Sequence, residues 1–288
     1  MTPPTEPGVT SVVEIFTVAD GQRSTLLETD AHVEAPNWSR DGSSLLLNGG
    51  GRLLVLELGD PSVLRPLDTG SATSCNNDHG FSPDGSQIAI SNQVDGASIV
   101  FVLPSAGGEP RRVTSVGPSY WHGWSPDGST LAFVGARNGQ FDIYTIDVAG
   151  DVDGAAVARQ LTDYAAPDDG PDYSPDGSTI YFNSARTGVM KIWAMDADGS
   201  GQRQLTDDEA FADWFPHPSP DGTSVVLLSY DATVAGHPGG QLVRLRMLDL
   251  ATGTVRTLCD VFGGQGTINV PSWAPDSSSF AFVSYRQD

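Results

Sequence analysis

The tetrapeptide Ser82-Pro83-Asp84-Gly85 has five close relatives in this chain. They are Ser39-Arg40-Asp41-Gly42, Ser125-Pro126-Asp127-Gly128, Ser174-Pro175-Asp176-Gly177, Ser219-Pro220-Asp221-Gly222 and Ala274-Pro275-Asp276-Ser277. Successive aspartates of the six lie 43, 43, 49, 45 and 55 residues apart. Proline presets φ, aspartate can bond its own backbone and glycine accepts a positive φ. Each tetrapeptide therefore predicts a tight turn within a repeating unit.

Short strand-like segments surround every turn. The turn at residues 125–128 is followed by Leu131-Ala132-Phe133-Val134, a Gly-containing break, a third segment at residues 141–147 and a fourth at residues 159–162. The other units repeat this order. Four strands in each unit of roughly 45 residues, without helical periodicity, are typical of a β-propeller blade.

The two ends of the chain complement each other. Residues 12–18 and 24–27 read as a third and a fourth strand, whereas residues 271–274 and 280–284 read as a first and a second strand. Joining the halves would close the ring and remove its open edges. The sequence predicts an all-β fold, a single six-bladed β-propeller at residues 11–288. Each blade has four antiparallel strands, the last is closed two-plus-two by the N-terminal strands, and residues 1–10 form a disordered or extended arm.

Composition excludes several classes of function. The 288 residues include 36 Asp and Glu but only 15 Lys and Arg, for a formal net charge of -21, which argues against nucleic-acid binding. No run approaches the ~20 apolar residues of a membrane span. There is no phosphate loop, dinucleotide fingerprint or hydrolase elbow, so no nucleotide or flavin cofactor is expected.

The start of the chain bears on localisation. Residues 1–8 are polar and Pro-rich and lack the basic start and apolar stretch of a secretory signal. We therefore expect a cytoplasmic protein, or a periplasmic one if a signal has been removed from the chain.

The repeating order of an aromatic residue, Ser-Pro-Asp-Gly, Ile-Ala-Phe, Ile-Tyr-x-x-Asp and Gln-Leu-Thr resembles TolB-type propellers. The resemblance covers nearly the whole chain. It is strongest to uncharacterised single-domain TolB-like bacterial proteins, which share the unusual segments at residues 75–80, 120–124, 169–173 and 213–218. The resemblance implies the fold and leaves the function open.

A weaker similarity is to oligogalacturonate lyases, whose propellers hold a divalent metal through several His and a Gln and eliminate across a uronate. The segments that carry it are Tyr120-Trp121-His122 and His217-Pro218. Those enzymes have seven blades, and Phe215 stands where the resemblance would place a second histidine.

Histidines gather at one predicted end of the propeller. Aligned on the turn serine, His79 and His122 occupy the same position, where the other four blades have proline, and His217 lies one residue further on. First strands line the channel of a propeller, so these side chains are expected at one channel mouth, with His237 in a loop on the same face. Histidine can act as an acid or base near neutrality or bind a metal, although a single histidine is more often structural.

Other polar and aromatic side chains are expected on the same face. The candidates for ligand binding are Asn77, Asp78, Tyr120, Trp121, Arg137, Arg186, Asp213, Trp214, His237, Gln265 and Asn269. The two arginines, from matching loops of adjacent blades, could clamp a carboxylate. Local turns, loop hydrogen bonds and burial are the structural alternatives for these residues.

Two functions remain open. One is a metal-assisted lyase or hydrolase of a small saccharide or uronate-like ligand, with His79, His122, His217 and Asp172 as catalytic residues. One divalent metal (Mn, Ca or Zn, undecided) would lie on His122 and His217, with His237 or Gln265. The other is a non-catalytic propeller scaffold that binds a protein or a small ligand.

Overall fold

A computed structural model describes residues 8–137, 139–151 and 157–287. All of its regular elements are strands. In the first half of the chain they are β1 (Val9–Thr17), β2 (Arg23–Thr29), β3 (Glu34–Trp38), β4 (Ser44–Gly49), β5 (Arg52–Glu57), β6 (Leu64–Pro66), β7 (Cys75–Phe81), β8 (Gln87–Val94), β9 (Ala97–Pro104), β10 (Arg111–Arg112), β11 (Ser119–Trp124) and β12 (Thr130–Arg137). In the second half they are β13 (Gln140–Asp147), β14 (Arg159–Gln160), β15 (Asp168–Tyr173), β16 (Thr179–Ser184), β17 (Lys191–Asp196), β18 (Arg203–Gln204), β19 (Phe211–Pro218), β20 (Ser224–Asp231), β21 (Gln241–Asp249), β22 (Val255–Gly263) and β23 (Ser279–Gln287).

The strands form a six-bladed propeller, as predicted. Blades one to five are the antiparallel sheets β3–β6, β7–β10, β11–β14, β15–β18 and β19–β22. Blade six has the strand order β2-β1-β23, and its innermost position is filled by a segment that pairs through the Trp273–Phe280 bridge. The chain ends therefore meet in one blade. The described residues contain no helix both long and apolar enough to cross a membrane.

The N-terminal boundary differs from the prediction. Val9 and Thr10, assigned to an arm, already pair with Gln287 and Arg286 in the β1–β23 ladder. Residues 1–7 lie outside the described residues. The ring closure thus uses the full length of β1.

The tetrapeptides form the turns that their chemistry predicts. Ser82 Oγ donates to Asp84 Oδ1 at 2.6 Å, and the same carboxylate oxygen accepts the backbone N–H of Ser86 at 3.0 Å. Gly85 has a φ of 72°, and Ser277, which replaces glycine in the last turn, has a φ of 63°. The turns fix the link between first and second strands in every blade.

The innermost strand of each of the first five blades contains a β-bulge. The register shifts lie between Glu34 and Asn37, Cys75 and His79, Trp121 and Gly123, Asp169 and Asp172, and Trp214 and His217. A bulge inserts an unpaired residue and redirects the side chains beside it. These irregular segments form the wall of the channel.

Candidate functional site

A cavity of about 330 Å³ lies at the mouth opposite the turn tetrapeptides. Its wall comes from the innermost strands of blades two to five, together with loops at residues 232–240 and 264–270. This volume is at the lower end of the ~300–1,000 Å³ typical of small-molecule sites. Seven of the predicted site residues line it, namely Asp78, Tyr120, His122, Trp214, His237, Gln265 and Asn269.

Asp169 links two histidines in the cavity wall. Its Oδ1 lies 3.3 Å from His122 Nε2, and its Oδ2 lies 3.7 Å from His237 Nε2. Asp169 can reach both because Gly170, with a φ of 58°, forms the adjacent bulge; a Cβ there would lie 2.6 Å from Asn183 Oδ1. The backbone conformation that places the Asp169 carboxylate therefore requires glycine at residue 170.

The pKa values of the two groups in the His122–Asp169 pair move apart. Burial alone would lower the pKa of His122, but the hydrogen bond with Asp169 and the charges of Asp78, Asp169 and Asp172 raise it overall. Burial alone would raise the pKa of Asp169, yet His122 lowers it. The contact thus favours the charged form of both groups, an imidazolium beside a carboxylate. Burial lowers the pKa of His237, so that ring is neutral.

Asp78 is a buried carboxyl group held by two amides. Its side chain accepts hydrogen bonds from Asn269 Nδ2, at 3.0 Å, and from Asn76 Nδ2. Burial raises its pKa to about 6 although the charge of His122 and the Asn76 hydrogen bond oppose the shift. Burial also raises the pKa of Tyr120, with help from the charges of Asp78 and Asp169.

Replacing Asp78 with asparagine should stabilise the protein at high pH. A carboxyl group with a raised folded pKa contributes its stability below its unfolded pKa and loses it as pH rises through about 6. We expect Asp78→Asn to unfold with roughly 2–3 kcal/mol more free energy than the parent at pH 8, with about 1 kcal/mol more at pH 4.5 and with little difference at pH 3. Urea denaturation at these pH values measures this. Equal stability of the parent and Asp78→Asn at pH 8 would contradict this prediction. The control is Asp260→Asn, which removes the same charge at an exposed position.

Several polar atoms of the cavity wall are buried without a partner among the described residues. They are His122 Nδ1, Trp214 Nε1, His237 Nδ1 and Asn269 Oδ1. His122, Trp214 and Asn269 are only 3%, 6% and 1% exposed. A buried polar group without a hydrogen bond costs about 1–3 kcal/mol, so several residues of this one cavity wall carry an unmet hydrogen-bonding capacity.

An aromatic cluster forms one side of the cavity. The His237 ring meets Trp214 and Phe215 edge-on, with centroids 4.4 and 5.2 Å away, and Phe215 stacks on His122 at 6.3 Å. Phe215 adopts a φ of 53°, which is unusual for a bulky residue and occurs in the bulge of blade five. This strained backbone brings an apolar surface beside the polar groups.

His79 lies apart from the cavity, although it aligns with His122 in sequence. It is fully buried, and its Nε2 lies 3.1 Å from the carbonyl oxygen of Leu46 in the neighbouring blade. Burial lowers its pKa to about 4, so it is neutral at physiological pH. The structure gives His79 contacts between blades, and His79 does not line the channel-mouth cavity.

Neither His217 nor Asp172 lines this cavity, and Asp172 lines a second cavity at the opposite mouth. His217 Nδ1 is 3.1 Å from Asp172 Oδ2, and His217 Nε2 is 2.8 Å from the carbonyl oxygen of Ile268. Both partners are oxygen acceptors, so each short contact needs a proton. Burial raises the pKa of Asp172, against the opposing hydrogen bond and charge of His217. The pair connects blades four and five to the loop that carries Gln265 and Asn269.

The two arginines are occupied within the protein. Arg137 donates to the carbonyl oxygens of Pro118 at 2.7 Å and Val116 at 3.0 Å. Arg186 donates to Asp168 Oδ2 at 2.9 Å, and its guanidinium lies 4.7 Å from the centre of the Trp193 ring. The predicted carboxylate clamp is thus engaged in loop and blade contacts.

Three further predicted residues lie outside the cavity wall. Asn77 is buried, and Asp213 Oδ1 accepts a hydrogen bond from Ser229 Oγ at 2.6 Å. Trp121 is 1% exposed and lines a separate cavity of about 220 Å³ at the opposite mouth, beside the turn prolines.

The residues do not fit the expected metal. His122 Nε2 faces Asp169, whereas both nitrogens of His217 face other groups and His217 does not line the cavity. Within residues 8–137, 139–151 and 157–287, no group of three or more His, Cys, Asp or Glu could hold a metal ion. We therefore derive no chemistry through a metal.

Sequence reasoning placed Asn76 and Asp169 on this face but selected neither of them, nor Phe215, as a site residue. Asp169 and Asn76 were visible as polar residues of the loops that precede the inner strands. Their importance depends on the bulges, which decide which residues of each loop face the cavity. Phe215 was noticed only where the lyase resemblance would place a histidine, because its place in the cavity wall follows from its unusual backbone conformation.

The fold and this cavity define a class, a six-bladed propeller with a polar and aromatic pocket at one channel mouth. Residues 122–288 match the model of the TolB beta propeller domain. An uncharacterised protein of Agrobacterium fabrum is 51% identical over 277 residues, covering 96% of this chain and 92% of the relative. The chain belongs to the TolB β-propeller domain family.

Solved structures agree with this assignment. A protein of Agrobacterium tumefaciens, solved as a candidate TolB, is 50% identical and superposes with a TM-score of 0.92, covering 97% of this chain and 99% of that one. An oligogalacturonate lyase of Vibrio parahaemolyticus is 17% identical with a TM-score of 0.55, covering 91% of this chain and 74% of that one. At that identity the lyase shares the fold alone.

Proposed function

We propose that the protein binds a small polyhydroxylated ligand, such as a saccharide unit, in the cavity at the channel mouth. The observation that carries the proposal is the set of buried, partnerless polar atoms on His122, Trp214 and Asn269 around one small cavity. A ligand that supplied hydrogen bonds to them would remove a cost that the folded protein otherwise bears.

The donors and acceptors of the wall favour hydroxyl groups. Trp214 Nε1 can only donate a hydrogen bond, whereas Asn269 Oδ1 and the Asp169 carboxylate can only accept one. A hydroxyl group does both, so a ring with several hydroxyls can satisfy neighbours of either kind. The apolar face of such a ring also matches the Trp214 and Phe215 surface.

The proposal is for binding, with no metal-assisted elimination or hydrolysis, because the described histidines do not fit a metal. A uronate is disfavoured as well. No Lys or Arg of the described residues lines the cavity, whereas Asp78, Asp168 and Asp169 do. Of the non-catalytic alternatives, the cavity volume favours a small ligand over a protein partner.

Removing the indole N–H of Trp214 should weaken binding. In Trp214→Phe an aromatic ring remains but one hydrogen bond to a ligand hydroxyl is lost, so we expect about tenfold weaker affinity for a sugar that binds the parent. Calorimetric titration with neutral mono- and disaccharides measures it.

Trp121→Phe is the matched control, because Trp121 Nε1 is also buried without a partner among the described residues but lies at the other end of the channel. Its affinity should equal that of the parent. Absence of binding by every neutral sugar, or an equal loss in both variants, would refute the proposed site.

A further inference from the structure

Charge is unevenly balanced in the channel-mouth cavity. Three carboxyl groups line it, from Asp78, Asp168 and Asp169, and no Lys or Arg side chain of the described residues does. Arg186 pairs with Asp168 from behind the wall at 2.9 Å, and His122 pairs with Asp169 at 3.3 Å. Asp78 forms no salt bridge within the described residues: its hydrogen bonds come from neutral amides, although His122 also acts on it electrostatically.

Asp78 also has unused capacity to accept hydrogen bonds. A carboxylate offers about four acceptor sites, and Asn76 and Asn269 occupy one on each oxygen. Asn269 Oδ1, from a side chain that is 1% exposed, is a further acceptor without a partner in the described part of the chain. Two neighbouring side chains thus present acceptors to the same part of the cavity.

This arrangement suits an ammonium group. An ammonium carries three donors and no acceptor, and it is attracted by carboxylates and by aromatic faces. Tyr120, whose pKa the charge of Asp78 helps to raise, lines the cavity together with Phe141, and their ring centroids are 6.5 Å apart. An uncharged ligand with hydroxyl groups could make the hydrogen bonds. It would bring no positive charge to the ionised Asp78.

We propose that the ligand is an amino sugar, with its ammonium group against Asp78 and Asn269 and its hydroxyl groups against Trp214 and His122. This inference rests on the proposed function and adds the charge of the ligand. It requires binding and no chemical step.

The inference predicts a linkage between binding and protonation. The charged groups around Asp78 are His122, Asp169 and Glu34, and their combined effect with burial leaves its pKa at about 6. An ammonium favours the ionised carboxylate, so binding lowers that pKa and releases a proton near pH 6. Affinity for an amino sugar therefore rises between pH 5 and pH 7, whereas affinity for a uronate falls.

Matched sugars provide the test. Glucose, glucosamine and glucuronate share a ring and differ in charge. Galactose and mannose, each compared with its own amino sugar, vary the configuration of the ring. Calorimetric titration at pH 5, 6 and 7, in two buffers of different ionisation enthalpy, measures affinity and proton release. We expect at least one amino sugar to bind about tenfold tighter than its neutral partner at pH 7, with up to about half a proton released at pH 6.

Asp78→Asn separates charge from shape. It should abolish the pH dependence and the preference for the amino sugar, so that the amino sugar and its neutral partner bind this variant equally. Asp260→Asn, which changes the net charge equally at an exposed position, should bind like the parent. Equal affinity of the parent for amino and neutral sugars at both pH values overturns this inference and leaves the proposed function standing. If none of the sugars binds, both fall.

Discussion

Replacing His217 with alanine should lower the free energy of unfolding by about 3–5 kcal/mol at neutral pH. The substitution leaves the buried carboxyl of Asp172 without its 3.1 Å partner and the carbonyl of Ile268 without its 2.8 Å donor. It also opens a void in a fully packed region. Urea denaturation or a melting midpoint about 10 °C lower measures the loss.

The pH dependence and a double variant identify the cause of that loss. Asp172, alone in the interior, is neutralised as pH falls through its raised pKa, so the deficit of His217→Ala should shrink at pH 4.5. Adding Asp172→Asn should recover part of the stability at pH 7, because no buried charge is then left. Strictly additive effects, or a loss below about 1 kcal/mol, would show that the pair contributes little.

The same variant should weaken ligand binding. His217 holds the Ile268 carbonyl, and the loop around it carries Gln265 and Asn269 into the cavity wall. A loss of affinity caused by a residue outside the cavity lining would identify His217 as a positioning residue for the proposed site.

The architecture could be read from the sequence because its determinants are local. Each turn depends on Ser, Pro, Asp and Gly at adjacent positions, and the spacing of the turns gives the number of blades. Even the closure was visible, since the chain starts and ends with complementary halves of a blade. Ser277 shows that the turn forms with a φ of 63° when glycine is absent.

The site was only partly predictable because bulges decide which side chains face the cavity. His79 and His122 align on the turn serine, but His79 pairs in register with Ile90, whereas His122 is the extra residue between Trp121 and Gly123. The ladder therefore buries His79 against the next blade and leaves His122 beside Asp169. A repeat alignment assigns both residues the same environment and cannot detect a shift of one residue.

The arginines differ from the prediction for a similar reason. Arg137 and Arg186 lie in matching loops and are scarce cations, which favoured a role in ligand binding. The structure surrounds each with acceptors from its own chain, and only one of those acceptors, Asp168, is charged. Scarcity of a residue type thus gave no information about the groups that it contacts.

Arg186→Ala should therefore be among the most destabilising substitutions in the protein. Asp168 is fully buried and would lose its 2.9 Å partner, and the rings of Trp193 and Phe182 would lose the guanidinium that lies over them. We expect a loss of about 3–5 kcal/mol in the free energy of unfolding. The double variant with Asp168→Asn should be more stable than Arg186→Ala alone, because an amide replaces the stranded carboxylate.

Arg137→Ala is the matched comparison, since Arg137 bonds carbonyl oxygens and leaves no buried charge when removed. Its loss should be about 1–2 kcal/mol. If the two arginines instead clamped a ligand carboxylate, both variants would strongly and similarly reduce the affinity for a uronate. The free energy of unfolding would then change little in either variant. Denaturation and titration on the same two variants thus decide between a structural and a ligand-binding role for these arginines. A large loss of stability in Arg186→Ala alone, together with weak uronate binding by the parent, is the expected outcome.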